Sequence, residues 1–148
     1  MPGNVDPIWR RVGEIQGVGV SAANTSSQGG GTIGTDIFKA FEADATNGGY
    51  VREVRWSLGE TTIATASTAP VGRVFVSSVT SGATTTTNTH LIAEVALASQ
   101  TPSSTLPGVP IVVPLDFALP PGYTILVTNH AAPAANTQWK AVVFGGKY

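Results

Sequence analysis

Short apolar runs separated by turn-forming residues constrain the fold of this chain more than any other feature. Between the runs lie stretches such as DATNGG, SQTPSSTLPG and AAPAAN, whose Gly, Pro, Ser and Asn residues favour turns. The strand-like runs lie at 36–43, 50–59, 61–67, 72–79, 90–98, 110–119, 122–130 and 137–145. About eight strands at this spacing predict an all-β fold, a single antiparallel β-sandwich of jelly-roll-like topology.

The run YVREVRWSLG shows the alternation of a half-buried strand most clearly. Tyr50, Val54, Trp56 and Leu58 are expected on one side, and Arg52 interrupts that apolar side. A helix would also be compatible with DIFKAFEADA, where Ile37, Phe38 and Phe41 are three and four residues apart. The residues expected to be mainly buried are Val54, Trp56, Phe75, Val95, Leu97, Val113, Leu115, Phe117, Ile125, Val127, Trp139 and Val143.

The first 34 residues differ in composition from the rest. Residues 17–35, GVGVSAANTSSQGGGTIGT, contain six glycines and no strand or helix period, and such a sequence orders itself poorly. We therefore expect an extended N-terminal arm at 1–34 before a sandwich domain at 35–148. Its apolar residues would contact a partner, with Ile8, Trp9, Val12 and Ile15 as the interaction residues. The alternative is that residues 8–20 form an edge strand of the same sheet.

Charge and composition exclude several classes of partner. Only 11% of the residues are charged and the net charge is −1, so nucleic acid and anionic lipid find no electrostatic attraction. There is no cysteine for disulfides or thiolate metal sites. The sequence also shows neither a signal peptide nor an apolar run of about 18 residues. These features predict a protein made in a cytoplasm, not bound to membranes, with an uncharged surface suited to burial against other proteins.

No pattern of catalytic or metal-binding residues is present. On one strand, His90 and Glu94 would lie about 13 Å apart at the rise of a β-strand, which is too far for joint chelation. His130 is expected to be a polar residue at a strand end. The sequence contains no GxSxG motif, and its glycine runs lack the Lys-Ser/Thr of a phosphate-binding loop. We therefore expect neither an enzyme nor a bound cofactor.

The C-terminal third resembles a group of small virion-associated proteins of tailed bacteriophages. The segments that carry the resemblance are LIAEVALASQT, VPLDFALPPGYTILVT and QWKAVVFGGKY, preceded by TNGGYVREVRW and GRVFV. The match covers 37–148 and not the N-terminal arm. Lys147 stands before Tyr148 where the family often has Asp.

The resemblance implies a bacteriophage virion structural protein, most simply a capsid decoration or cement protein. It would be made in the cytoplasm of a bacterial host and lie on the capsid surface, where it binds and stabilises the shell of the major capsid protein. Self-association as a homotrimer is implied, with Tyr148 as a further interaction residue. The alternative is a tail, collar or fibre-associated sandwich module that binds host-surface glycan or another virion protein.

Overall fold

The computed structural model describes residues 12–60, 66–103 and 105–148, and these contain strands and no helix. The described residues accordingly include no helix that could cross a membrane. The predicted strand at 61–67 falls mostly outside them, together with Ile8 and Trp9. The ten strands are β1 (Val12–Val20), β2 (Gly31–Thr32), β3 (Phe38–Glu42), β4 (Gly49–Glu60), β5 (Val71–Ser77), β6 (Ala83–Thr84), β7 (Thr89–Ala96), β8 (Ile111–Leu119), β9 (Thr124–Asn129) and β10 (Thr137–Lys147).

Two four-stranded antiparallel sheets form the sandwich, and the prediction of this fold class is confirmed. The first sheet has the order β1-β10-β4-β8 and the second the order β3-β9-β5-β7, while β2 and β6 form a small ribbon. Among the longer strands, every connection crosses from one sheet to the other except that from β5 to β7. The segment DIFKAFEADA contains β3, so its helical alternative is wrong.

Residues 12–20 correct the prediction of an N-terminal arm that extends to residue 34. They form β1, which pairs with β10 along its whole length from Val12↔Lys147 to Val20↔Trp139. The glycines that suggested mobility are compatible with close packing here, since a Cβ on Gly17 would lie 3.1 Å from the carbonyl oxygen of Ala141 on β10. For these residues the structure shows the edge-strand alternative.

The core between the sheets contains most of the predicted residues. Eight of the twelve are buried, among them Trp56 and Trp139, while Val95, Val113, Leu115 and Phe117 are partly buried against the same cluster. Three of these four lie on β8 and one on β7, the strands that end their sheets on the same side. An edge strand has a neighbour on one side only, which explains the incomplete burial.

Residues 21–37 cross the outer face of the second sheet. The amide of Asn24 donates to the carbonyl of Asn129 at 2.8 Å. Ile37 packs with Phe75 and Leu126 in a second buried cluster, with Ile33 against it. This segment therefore belongs to the sandwich and shields one of its two outer faces.

Replacement of Trp139 by Ala should lower the free energy of unfolding by about 3 to 5 kcal/mol, the range for aromatic truncations in a core. Trp139 is 1% exposed, and its indole nitrogen donates to the carbonyl of Thr68 at 3.4 Å. Chemical denaturation monitored by circular dichroism measures the change. An unchanged midpoint and slope would contradict the assignment of this residue to the core.

A truncated chain that begins at Thr35 should be strongly destabilised. It lacks β1, which supplies the buried Val20 to the main cluster, and it lacks Ile33 over the second cluster. Removal of an arm without contacts to the domain would leave the melting temperature unchanged. Thermal unfolding of the truncated and full chains separates the two cases.

Candidate functional site

The two outer faces of the sandwich differ in what covers them. Segment 21–37 shields the second sheet, whereas the first sheet leaves Ile15 66% exposed and Val112 46% exposed on its two edge strands. We name the outer face of the first sheet the open face. Its outward side chains, read from the strand register, include Ile15, Glu53, Arg55, Val112, Lys140, Val142 and Phe144.

An aromatic and a charge pair occupy the middle of the open face. Phe144 lies directly across from Ile15 on the neighbouring strand. The guanidinium of Arg55 lies 4.8 Å from the centre of the Phe144 ring, within the range of a cation–π contact. Nη2 of the same arginine is 2.6 Å from Oε1 of Glu53. The charges in the middle of this face, Arg55 and Glu53, therefore compensate each other beside the apolar side chains of Phe144 and Ile15.

A depression of about 780 Å³ lies at one end of the open face. It forms where the ladder is irregular in three adjacent strands. Arg52 of β4 has no counterpart between Phe144 and Gly145 of β10, and it faces two residues, Leu115 and Asp116, of β8. Such bulges bend strands and redirect side chains. The residues lining the depression are Val12, Gly13, Glu14, Ile15, Tyr50, Arg52, Asp116, Phe144, Gly145 and Gly146.

The bulge corrects the predicted side-chain alternation of β4. Val51 rather than Tyr50 is buried with Val54 and Trp56, because the extra residue Arg52 shifts the pattern by one position. Tyr50 instead lines the depression. The charged interruption in YVREVRWSLG was the sequence signal of this irregularity.

Backbone geometry maintains the depression. A Cβ on Gly145 would lie 2.2 Å from the carbonyl oxygen of Tyr50, so only glycine permits this approach of β10 to β4. Asp116 has a φ of 50°, an unfavourable value for a residue with a side chain. Its Oδ1 accepts a hydrogen bond of 2.9 Å from the hydroxyl of Tyr50.

Arg52 carries an accessible positive charge in the depression, which Asp116 also lines. Its Nε is 3.9 Å from Oε2 of Glu53, a carboxylate that Arg55 already contacts more closely. The side chain of Arg52 is 73% exposed. Nζ of Lys147 lies 3.6 Å from Oε1 of Glu14 and neutralises it. The depression thus offers an accessible cation beside apolar and hydroxyl groups.

The predicted interaction residues have different positions in the structure. Val12 and Ile15 both line the depression, whereas Ile8 and Trp9 lie outside the described residues. Tyr148 is partly buried, and it is not among the lining residues. The sequence analysis did not identify Tyr50, Arg52, Asp116 and Phe144 as site residues, because the three-strand bulge that brings them together depends on pairing between distant segments.

The turn at residues 44–48 contacts the last residue of the chain. The amide of Tyr148 donates to the carbonyl of Gly48 at 3.4 Å, and burial raises the pKa of the Tyr148 phenol. Backbone amides of Asn47 and Thr46 donate to the Asp44 carboxylate and lower its pKa. Asp44 therefore favours this turn when it is ionised, a contribution lost as pH falls through its lowered pKa.

The two histidines lie in or directly after strands of the second sheet. His130 directly follows β9, and its Nδ1 accepts a hydrogen bond of 2.7 Å from the amide of Val71. His90 lies on β7, where Glu94 is bound by Arg73 at 2.7 Å. Across the described parts of the chain, no group of three or more His, Cys, Asp or Glu residues could hold a metal ion.

No protein-family model, curated protein sequence or solved structure matches the chain significantly.

Replacement of Gly145 by Ala should destabilise the protein by about 1 to 3 kcal/mol, the usual cost of overpacking. The added methyl group would contact a backbone carbonyl of the central strand, which cannot move aside without loss of pairing. Gly13 lines the same depression, yet a Cβ there would meet nothing within 4 Å, so Gly13→Ala is the matched control. Thermal melts of the two variants should differ clearly. Equal melting temperatures would contradict the described approach of β10 to β4.

Proposed function

We propose that this protein is a bacteriophage virion structural protein, a capsid decoration or cement protein that binds and stabilises the shell of the major capsid protein. The observation that carries the proposal is the difference between the two outer faces. One is covered by the protein's own segment 21–37. The other exposes Ile15 and Val112 and contains a depression of about 780 Å³. A face of this kind suits contact with another protein.

The chemistry of the open face supports a protein partner. Its central charges, Arg55 and Glu53, already form an ion pair. Burial of the face would therefore not leave either of these charges without a partner. Apolar side chains occupy much of the rest of the face, with Lys140 as an exposed cation and with Arg52 and Asp116 as accessible charges in the depression. A shell surface with apolar side chains and an acceptor near Arg52 would complement it.

Strand order is consistent with the proposed jelly-roll topology. The sheets β1-β10-β4-β8 and β3-β9-β5-β7 interleave the chain as two Greek keys of a jelly roll would. Jelly rolls occur in viral capsid and lectin domains. The fold is therefore compatible with the proposal, although the same topology supports many functions.

Self-association belongs to the proposal. Decoration proteins commonly occupy three-fold or quasi-three-fold positions of icosahedral shells, so we propose a homotrimer on the capsid surface after synthesis in the bacterial cytoplasm. The low charge of the chain, 11% of its residues, favours close contact between copies because few ions lose hydration.

Host-surface glycan binding by a tail, collar or fibre module is the second candidate. The depression places Tyr50 and Phe144 beside Asp116 and Arg52, and aromatic rings with nearby polar groups can bind sugars. Retention of a defined glycan on an array, lost on Tyr50→Ala, would favour this candidate. A decoration protein should retain none.

Ile15→Asp should weaken binding to capsid shells by tenfold or more, about 1.4 kcal/mol, because it places a carboxylate in the apolar centre of the contact. Thr86→Asp adds the same charge in an exposed loop away from the open face and serves as the control. Co-sedimentation with shells of the phage that encodes the protein measures the binding. Equal binding of both variants would exclude the open face as the attachment surface. Absence of the protein from the capsid of intact particles, seen by electron microscopy, would overturn the decoration function itself.

A further inference from the structure

Four strands end the two sheets of the sandwich, namely β1 and β8 in the first sheet and β3 and β7 in the second. Two of them contain features that prevent another strand from pairing with them. β8 contains Pro114, which has no amide hydrogen, and a bulge opposite Arg52 of β4. β7 contains Ile92 as an extra residue opposite β5. Bulges and prolines protect exposed sheet edges from strand addition.

The edge of β3 is protected in a different way. The strand is only five residues long, and Ala40 interrupts its pairing with β9. The side chain of Gln16 on β1 reaches this edge, where its Oε1 accepts a hydrogen bond of 3.0 Å from the amide of Glu42. Lys39 and Glu42 also form an ion pair there. The edge of β3 is therefore short, charged and partly capped by another side chain.

The edge of β1 lacks these protections. The strand is nine residues long, contains no proline, and pairs with β10 without a bulge. Its one charged residue, Glu14, already contacts Lys147. Because β10 is its single neighbour in the sheet, about half of its backbone N–H and C=O groups point away from the ladder. Within the described ranges, the backbone of 12–20 forms hydrogen bonds with β10 alone. This edge can therefore accept a further strand.

The outward side of β1 leaves room for a side chain of an added strand. Its residues are Gly13, Ile15, Gly17 and Gly19. A Cβ on Gly17 would lie 3.2 Å from Cγ2 of Val142, and one on Gly19 would meet the side chain of Gln138, so β10 fills the space over both. A Cβ on Gly13 would meet nothing within 4 Å, and Gly13 lines the depression. A large side chain on an adjacent strand can pack over such a glycine.

A second copy of β1 would not supply that side chain. In the antiparallel register that overlaps two β1 strands completely, Gly13 of one copy would lie opposite Gly19 of the other, and Ile15 opposite Gly17. Side-chain pairs across strands stabilise a sheet, and these pairs offer few side-chain atoms to each other. The edge is therefore complementary to an extended segment of a different protein, one with a large apolar residue at the position opposite Gly13.

We propose that β1 is a strand-addition site, at which an extended segment of a shell protein pairs with the free edge and places a large apolar or aromatic side chain over Gly13. Main-chain hydrogen bonds would hold the segment, and the depression would select its side chain, as in other complexes formed by strand addition. The added strand would lie beside Val12 and Ile15 and would extend the open face. The inference rests on the proposed decoration function and specifies how the shell is held.

Peptides test the inference without shells. The probes are overlapping peptides, each long enough to pair with all of β1, that cover the virion proteins of the phage that encodes the chain, the major capsid protein included. At least one peptide with alternating large apolar residues should bind the full chain, as measured by fluorescence anisotropy. Gly13→Lys should weaken that binding about tenfold or more, because the lysine occupies the space over Gly13 and because lysines on edge strands oppose strand addition.

The control Thr86→Lys adds the same charge in an exposed loop and should bind the peptide as the wild type does. Gly13→Lys should keep the melting temperature of the wild type, since a Cβ at this position meets no neighbouring atom. Absence of binding to every peptide would overturn the inference. Equal binding of the wild type and Gly13→Lys would overturn it as well.

Hydrogen exchange of the protein bound to shells separates strand addition from contact through the open face alone. In the free protein, the amides of β1 that point away from β10 should exchange rapidly, and an added strand should protect them. Shell binding with unchanged exchange in 12–20 would overturn the inference and leave the decoration function intact. A protein that binds a peptide at β1 as described but does not bind shells would overturn the decoration function, and the strand-addition site would stand.

Discussion

Packing of the Trp56 indole on Gly72 is the contact between the sheets on which the rest of the sandwich depends. Trp56 lies in β4 of the first sheet and Gly72 in β5 of the second, and a Cβ on Gly72 would lie 3.1 Å from Cζ2 of the indole. The indole therefore packs closely on the backbone of Gly72, where a Cβ would make a tight contact. Leu97 closes the same position from the end of β7. With the spacing fixed here, both sheets can bury their inner faces, and the two outer faces become available for separate roles.

The two outer faces of the sandwich differ in whether the chain itself covers them. Residues that follow β1 cover the exterior of the second sheet and form a small second buried cluster there. The first sheet keeps its exterior accessible, and its regular ladder is interrupted at Arg52. The two outer faces of the sandwich therefore present different surfaces to the surroundings of the protein.

Strand content and the central core could be predicted from the sequence, because apolar alternation and turn residues are local signals. Trp56, Val54 and Trp139 are buried, as that alternation predicts. The role of the glycine-rich N-terminal segment could not be predicted. Glycines such as Gly17 and Gly19 occur both in mobile arms and in strands that pack closely on a neighbour, as β1 packs on β10. The depression also escaped prediction. Arg52 gave a visible break in alternation, but its meaning depends on the register of two neighbouring strands.

The order of strands in the sheets has a consequence for how the chain folds during synthesis. β9 and β10 are the last strands made, yet β9 lies between β3 and β5, and β10 lies between β1 and β4. Before β9 and β10 leave the ribosome, each sheet lacks one interior strand, and the strands made earlier have unpaired edges. Pairing between distant segments is slow to form, and exposed edges in such intermediates promote aggregation. Folding of this domain should therefore wait until β9 and β10 have been synthesised, and its partly folded forms are prone to aggregation until then.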